Sequence, residues 1–141
     1  MREFVAIAFL FVALSAQAAS AVSLGKADQS VERVSLISLI ANPDKYDGKR
    51  VRAIGAFRLE FEGNAFCLHK EDLVQRIYEN CVWVEPDLKV LGTDYKTLSQ
   101  LNGEYVLFEG TFHKDDHGHR GLFSGAITGI WRAASLPPSP K

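Results

Sequence analysis

Between residues 47 and 61 (DGKRVRAIGAFRLEF), apolar or small side chains fall on every second position: Val51, Ala53, Gly55, Phe57, Leu59 and Phe61. The alternate positions carry Arg50, Arg52, Arg58 and Glu60, with Ile54 and Ala56 as exceptions. This period of two predicts a half-buried strand with one face on a core. It runs about twice the usual strand length of roughly 5–6 residues, and Gly55 marks a place to bend or bulge. A long, bent, one-sided strand is what a small barrel needs to take part in both of its sheets. The spacing Gly48, Val51, Gly55, Phe57 recurs without a gap as Gly103, Val106, Gly110, Phe112. A shared demand for glycine at a bend predicts that the two strands pair with Gly55 close to Gly110. Val51, Phe57, Leu59, Val106, Phe108 and Phe112 are expected inside, with Arg52, Arg58, Glu109 and Thr111 pointing away.

The pattern around these strands predicts the other elements. Residues 19–34 are polar, small and without a period, a leader of uncertain order. Ser35 stands where an N-cap belongs, ahead of Leu36, Ile37, Leu39 and Ile40, and Pro43 ends that short helix. Glu62-Gly63-Asn64 is a tight hairpin loop leading to a second strand over 65–69. Residues 70–80 (KEDLVQRIYEN) predict a short helix or folded loop, and 81–85 a third strand closed by Pro86-Asp87. Asp94 caps a single short helix over 94–101, which Asn102-Gly103 ends. A fourth strand over 105–113, a polar hairpin loop over 114–120 and a fifth strand over 121–131 follow. Residues 133–141, with three prolines, predict a disordered tail. Three strands, a helix, then a two-strand hairpin is the order of the five-stranded Greek-key OB barrel, so the fold class expected is all-β. A β-sandwich is the alternative, although its seven strands are hard to place here.

Composition and termini add the compartment. Arg2, the unbroken apolar run over 4–14 (FVAIAFLFVAL) and Ala16-Gln17-Ala18 read as a secretory signal, with Ala19-Ser20-Ala21 as a second cleavage candidate. The apolar run falls short of the roughly 20 residues needed to span a bilayer. The division expected is a signal peptide (1–18), a leader (19–33), an OB domain (34–132) and the tail, in a periplasmic or secreted protein. In an oxidising compartment Cys67 and Cys81 are expected to form a disulfide, which would close a loop of about 15 residues. If Phe66, Leu68, Val82 and Val84 face the core, both sulfurs share the outer face with Trp83. Two small buried thiols are the other reading.

The segment over 39–57 (LIANPDKYDGKRVRAIGAF), where a helix leads through N-P-x-x-Y-x-G-K into the first barrel strand, resembles the opening of small exported bacterial OB-fold proteins. These are related to the tRNA-anticodon-binding-like group. LEFEGNA over 59–65 and HGHRGLFSGAI over 117–127 resemble further segments of such proteins. The likeness covers 34–131 and implies the fold and export; Cys67 and Cys81 lie outside its pattern.

Two kinds of chemistry have candidate residues. His113, Asp115, His117 and His119 share one parity, so an extended segment would turn them to the same side as ligands for zinc or copper. A soluble hairpin tip, reversing at Gly118, accounts for the same residues without a metal. Arg50, Arg52, Arg58 and Trp83 are candidates for the strand face on which OB barrels bind single-stranded nucleic acid or oligosaccharide. A formal net charge of −1 and the export signal speak against nucleic acid. No hydrolase, nucleotide-binding or metalloprotease motif is present, and no enzyme activity is expected. The function expected is a binding module in the cell envelope for a protein, glycan or small ligand, with a metal-binding exported protein as the alternative.

Overall fold

The structure, a computed structural model, describes residues 21–137. The expected signal peptide and the last residues of the expected tail lie outside the described residues. Among the described residues seven strands are present: β1 (Ser23–Gly25), β2 (Glu32–Arg33), β3 (Arg50–Arg58), β4 (Ala65–Cys67), β5 (Cys81–Pro86), β6 (Tyr105–His113) and β7 (Ala126–Ser135). Five close into a barrel. β3 pairs antiparallel with β4, β4 with β5, β6 with β7 and β6 with β3, while β5 runs parallel to β7. This circuit is the OB connectivity, and the fold is an all-β OB-like barrel with short helices.

Local chemistry sets the helices. Ser35 caps α1 (Leu36–Ala41), its side chain accepting from the Ser38 amide. Pro43 stands in the first turn of α2 (Pro43–Tyr46), where its missing N–H costs nothing. α3 (Lys70–Gln75) and a 3₁₀ turn at Tyr78–Asn80 join β4 to β5. Between β5 and β6 the chain forms α4 (Leu88–Leu91), capped by Asp87, then α5 (Tyr95–Leu98), capped by Asp94, and a 3₁₀ turn at Ser99–Leu101. The helix expected over 94–101 is present as α5 and its 3₁₀ turn, and α4 is a further helix ahead of it, ended by Gly92 in the left-handed region at φ 63°.

The core is aromatic. Phe108 lies edge-on to Phe57 with ring centroids 5.0 Å apart and against Phe66 at 4.9 Å. Val51, Phe57, Val106, Phe108 and Phe112 are buried as their parity requires, while Leu59 is only partly covered, beyond the end of β3. The two glycines do not meet. The strands run antiparallel, so Gly55 stands opposite Val106 and Gly110 opposite Val51. The repeated spacing thus becomes a pairing in which each glycine faces the other strand's valine. Neither site has room for a side chain: a Cβ at Gly55 would meet Leu36 Cδ1 at 2.5 Å, and one at Gly110 would meet Ile127 Cγ2 at 2.6 Å.

The ends of the domain lie elsewhere than expected. The leader is ordered: β1 pairs antiparallel with β7 over Arg132 to Ala134, and β2 pairs parallel with β3 at Val51 and Arg52. β7 starts at Ala126 and continues to Ser135, beyond the predicted end at Trp131. Ala133 and Ala134 are buried in it rather than opening a disordered tail. The register between β6 and β7 shifts between Glu109 and Thr111. Across that irregularity Ile127 and Ile130 both face the core, which a strict period of two cannot deliver.

Candidate functional site

The outer face of β4 and β5, where OB barrels commonly bind ligands, is covered. Cys67 and Cys81 stand opposite each other with Cα atoms 4.0 Å apart and form a disulfide. Around it a second apolar cluster forms outside the barrel from Ala56, Ala65, Leu73, Trp83, Phe123 and Ala126. Leu73 comes from α3. Phe123 comes from the β6–β7 loop and meets the Trp83 ring at 5.4 Å and the Tyr78 ring at 5.0 Å. The same loop lays Gly118, with φ 60°, directly on Trp83: a Cβ there would meet Trp83 Cγ at 2.6 Å. Trp83 is therefore 8 % exposed, with its indole N–H donated to Glu85. It faces outward as expected but is not an open stacking platform.

The three arginines of the predicted binding face are committed as well. Arg58 donates to the Leu73 carbonyl, tying α3 to β3, and lies 3.4 Å from Glu60. Arg50 pairs with Asp28 at 2.9 Å and lies 4.3 Å above the Trp131 ring. Arg52 donates through Nε to Glu109 at 2.7 Å and through a terminal nitrogen to the Asp28 carbonyl.

Glu109 corrects the expectation of an exposed face most sharply. It points out of the barrel as its parity requires, yet it is fully buried beneath the leader. Having paired beside β7, the leader reaches β3's edge through residues 26–31, whose Asp28 lies over Glu109. Oε1 accepts from Arg52 and from Arg132 at 2.9 Å; Oε2 accepts from the Trp131 indole at 2.9 Å and the Asp28 amide at 3.1 Å. Burial pushes this carboxyl's pKa up, but hydrogen bonds from Arg132, Arg52, Asp28 and Trp131 together outweigh it and hold the pKa below its ordinary value. Ser30 donates to the Asp28 carboxylate through its hydroxyl and its amide, which with Arg50 holds that pKa low too. Both ends of the strap are fixed by backbone bonds, Ser135 N–H to the Val22 carbonyl at 2.8 Å and Val34 N–H to the Arg52 carbonyl at 2.9 Å.

The His/Asp hairpin does not gather its candidate ligands. His117 Nδ1 bonds the Phe123 carbonyl at 2.8 Å, closing the loop on itself. His119 lies 3.9 Å from Glu62 in the β3–β4 loop, so the two loops that flank an OB binding face lean together here. His113 ends β6 opposite Ala126, and Asp115 lies beside Lys114. Gly118 breaks the common parity. Among the described residues no three His, Cys, Asp or Glu side chains are placed to hold a metal ion, and no helix is long and apolar enough to cross a membrane.

An apolar cleft of about 390 Å³ stays open on the other side of the β3–β4 loop, facing α4 and α5. Leu59, Phe61, Leu88, Tyr95 and Leu98 line it with Pro86, and Glu60, Glu62 and Asn64 complete the rim. Phe61 is 93 % exposed and Tyr95 58 % exposed. Both carried a signal in the sequence: Phe61 continues the apolar parity of β3 past the point where the strand ends, and Tyr95 follows the Asp94 cap. The apolar parity of the strand set Phe61 with the interior positions and so concealed it as a surface. Comparison with family models, with curated proteins and with solved structures finds no match to this chain.

Proposed function

We propose that this protein is an exported OB-fold binding module, related to the small exported bacterial OB-fold proteins its opening segment resembles. It engages a macromolecular partner in the cell envelope through the cleft beside the β3–β4 loop. The observation that carries the reading is the contrast between a covered strand face and an open apolar cleft. Trp83, Arg52 and Arg58 are spent on internal contacts, while Phe61 stands almost wholly in water at the mouth of the cleft. A large aromatic side chain left in water beside further apolar surface marks an interaction site. Export is supported by the apolar run over 4–14 ahead of two A-x-A sites and by the disulfide, which belongs to an oxidising compartment.

Two measurements test this. Protein recovered from the envelope fraction should have an intact mass that starts at Ala19 or Val22; retention of Met1 there removes export from the reading. A photo-crosslinking residue placed at Phe61 should form a discrete adduct in that fraction, while the same residue at exposed Leu122 should not. Equal labelling at both positions, or none at Phe61, contradicts the assigned site.

A further inference from the structure

The cleft beside Phe61 combines an apolar floor with a rim of one charge sign. Leu59, Leu88 and Leu98 supply aliphatic surface, and Phe61 and Tyr95 supply two exposed rings. The charged residues of the lining are Glu60 and Glu62, with side chains 46 % and 59 % exposed; no lysine or arginine lines the cleft. Their partners are weak: Arg58 stands 3.4 Å from Glu60 and also serves the Leu73 carbonyl, and His119 is 3.9 Å from Glu62. Asn64 is already used, its side-chain oxygen accepting from the Glu60 amide. The rim therefore offers carboxylates and few free donors.

We infer that the cleft takes a cationic-apolar peptide segment, one bulky apolar side chain seated against Phe61 and Tyr95 with lysine or arginine on either side facing Glu60 and Glu62. The volume suits one large side chain with its neighbours rather than a folded surface. Opposite charges at the rim favour encounter and reject acidic segments, while the apolar seat supplies most of the affinity. A neutral glycan would stack on the rings and donate hydroxyl hydrogen bonds to the carboxylates, but it carries no charge to balance theirs, as a cationic segment does. This inference rests on the reading of the cleft as the binding site.

The test is a set of NMR titrations of the mature, disulfide-bonded protein with three probes: the peptide acetyl-Lys-Leu-Phe-Lys-Leu-amide, its counterpart with Glu for Lys, and chitohexaose. The first peptide should shift the Phe61 and Tyr95 resonances saturably, and the acidic peptide should bind at least about tenfold more weakly. Phe61→Ser should weaken the first peptide about tenfold or more with an unchanged melting temperature, since the side chain is in water. Glu60→Gln with Glu62→Gln should weaken it several-fold and flatten its salt dependence. Equal binding of both peptides, indifference to Phe61→Ser, or no shift at Phe61 and Tyr95 with any probe overturns the inference. Binding of chitohexaose alone at these residues overturns the peptide assignment while leaving the cleft as the site. Loss of the discrete crosslink at position 61 would instead remove the site itself.

Discussion

Two patches of the barrel's outer surface are covered, and they are covered by different chemistry. Over β4 and β5 the cover is apolar and covalent: Leu73, Trp83 and Phe123 packed around the Cys67–Cys81 disulfide. Over β3, β6 and β7 it is polar: a strap of leader backbone fastened to Glu109, which four donors satisfy. The first is stable wherever its disulfide survives and is indifferent to modest changes of pH. The second depends on a carboxylate staying ionised among two arginines. One barrel can thus have its outside closed by burial of apolar surface at one patch and by completed hydrogen bonding at another, provided no buried polar group is left unpaired. Among the described residues no buried side-chain nitrogen or oxygen is.

The largest effect should come from beneath both covers. Phe112 is fully buried in the core and touches the site of Gly125, where a Cβ would meet its ring at 2.8 Å. Phe112→Ala should cost about 3–5 kcal/mol in a denaturant titration. That sets the scale against which the covers are read.

Next is the disulfide. Its removal by Cys67→Ser with Cys81→Ser should cost about 3 kcal/mol, the value for a loop of about 15 residues, plus the loss of two buried apolar atoms. Exchange should rise at Ser124 and Trp83, whose amides bond the Cys81 and Gly125 carbonyls, and not at the strap. A loss of protection at Asp28 in that variant would show the covers to be one cooperative unit.

Glu109→Ala should cost about 2–4 kcal/mol, because it leaves Arg52, Arg132 and the Trp131 N–H without their acceptor. Arg52 and Arg132 side chains keep 19 % and 22 % exposure, which places the cost toward the lower end. Arg52→Ala should follow at about 1–2 kcal/mol, the range for a charge-assisted hydrogen bond. The sequence alone predicted a near-neutral change there, since an arginine on an outer strand face usually meets only water.

The smallest effect separates the covers by pH. The folded pKa values of Glu109 and Asp28 lie below their ordinary ones, so their stabilisation is present in full above about pH 4–4.5. It is lost as pH falls through the lowered folded values. The disulfide does not titrate. Strap amides should therefore lose protection at a higher pH than Trp83 and Ser124 do on acidification. Simultaneous loss at all of them would erase the distinction.

The barrel itself was legible because its signals are local and periodic. β6 has the predicted bounds, and β3 keeps its predicted parity from Val51 to Phe57. The pairing of Cys67 with Cys81 followed from the parity of two adjacent strands. What was not legible is whatever depends on a second segment arriving. Parity told that Glu109 and Trp83 point outward, but not that residues 22–34 and the 114–125 loop lie on them. β1 and β2 have only three and two residues and borrow their structure from β7 and β3, so no period in the leader could announce them. The open cleft was hidden for the reverse reason. Phe61 and Leu59 continue an interior pattern, but β3 stops at Arg58 and neither is enclosed.

Native-state hydrogen exchange at the strap tests the central claim most directly, that both outer patches are closed parts of the fold and not available faces. The Asp28, Val34 and Ser135 amides, which bond Glu109, Arg52 and Val22, should be protected in the wild type together with Trp83 and Ser124. Glu109→Gln should raise exchange at the first three by about tenfold or more while leaving the last two unchanged. Exchange of Asp28 and Val34 at the rate of an unstructured chain, with the barrel strands protected, would contradict the account and reopen the β3–β6 face as a binding surface.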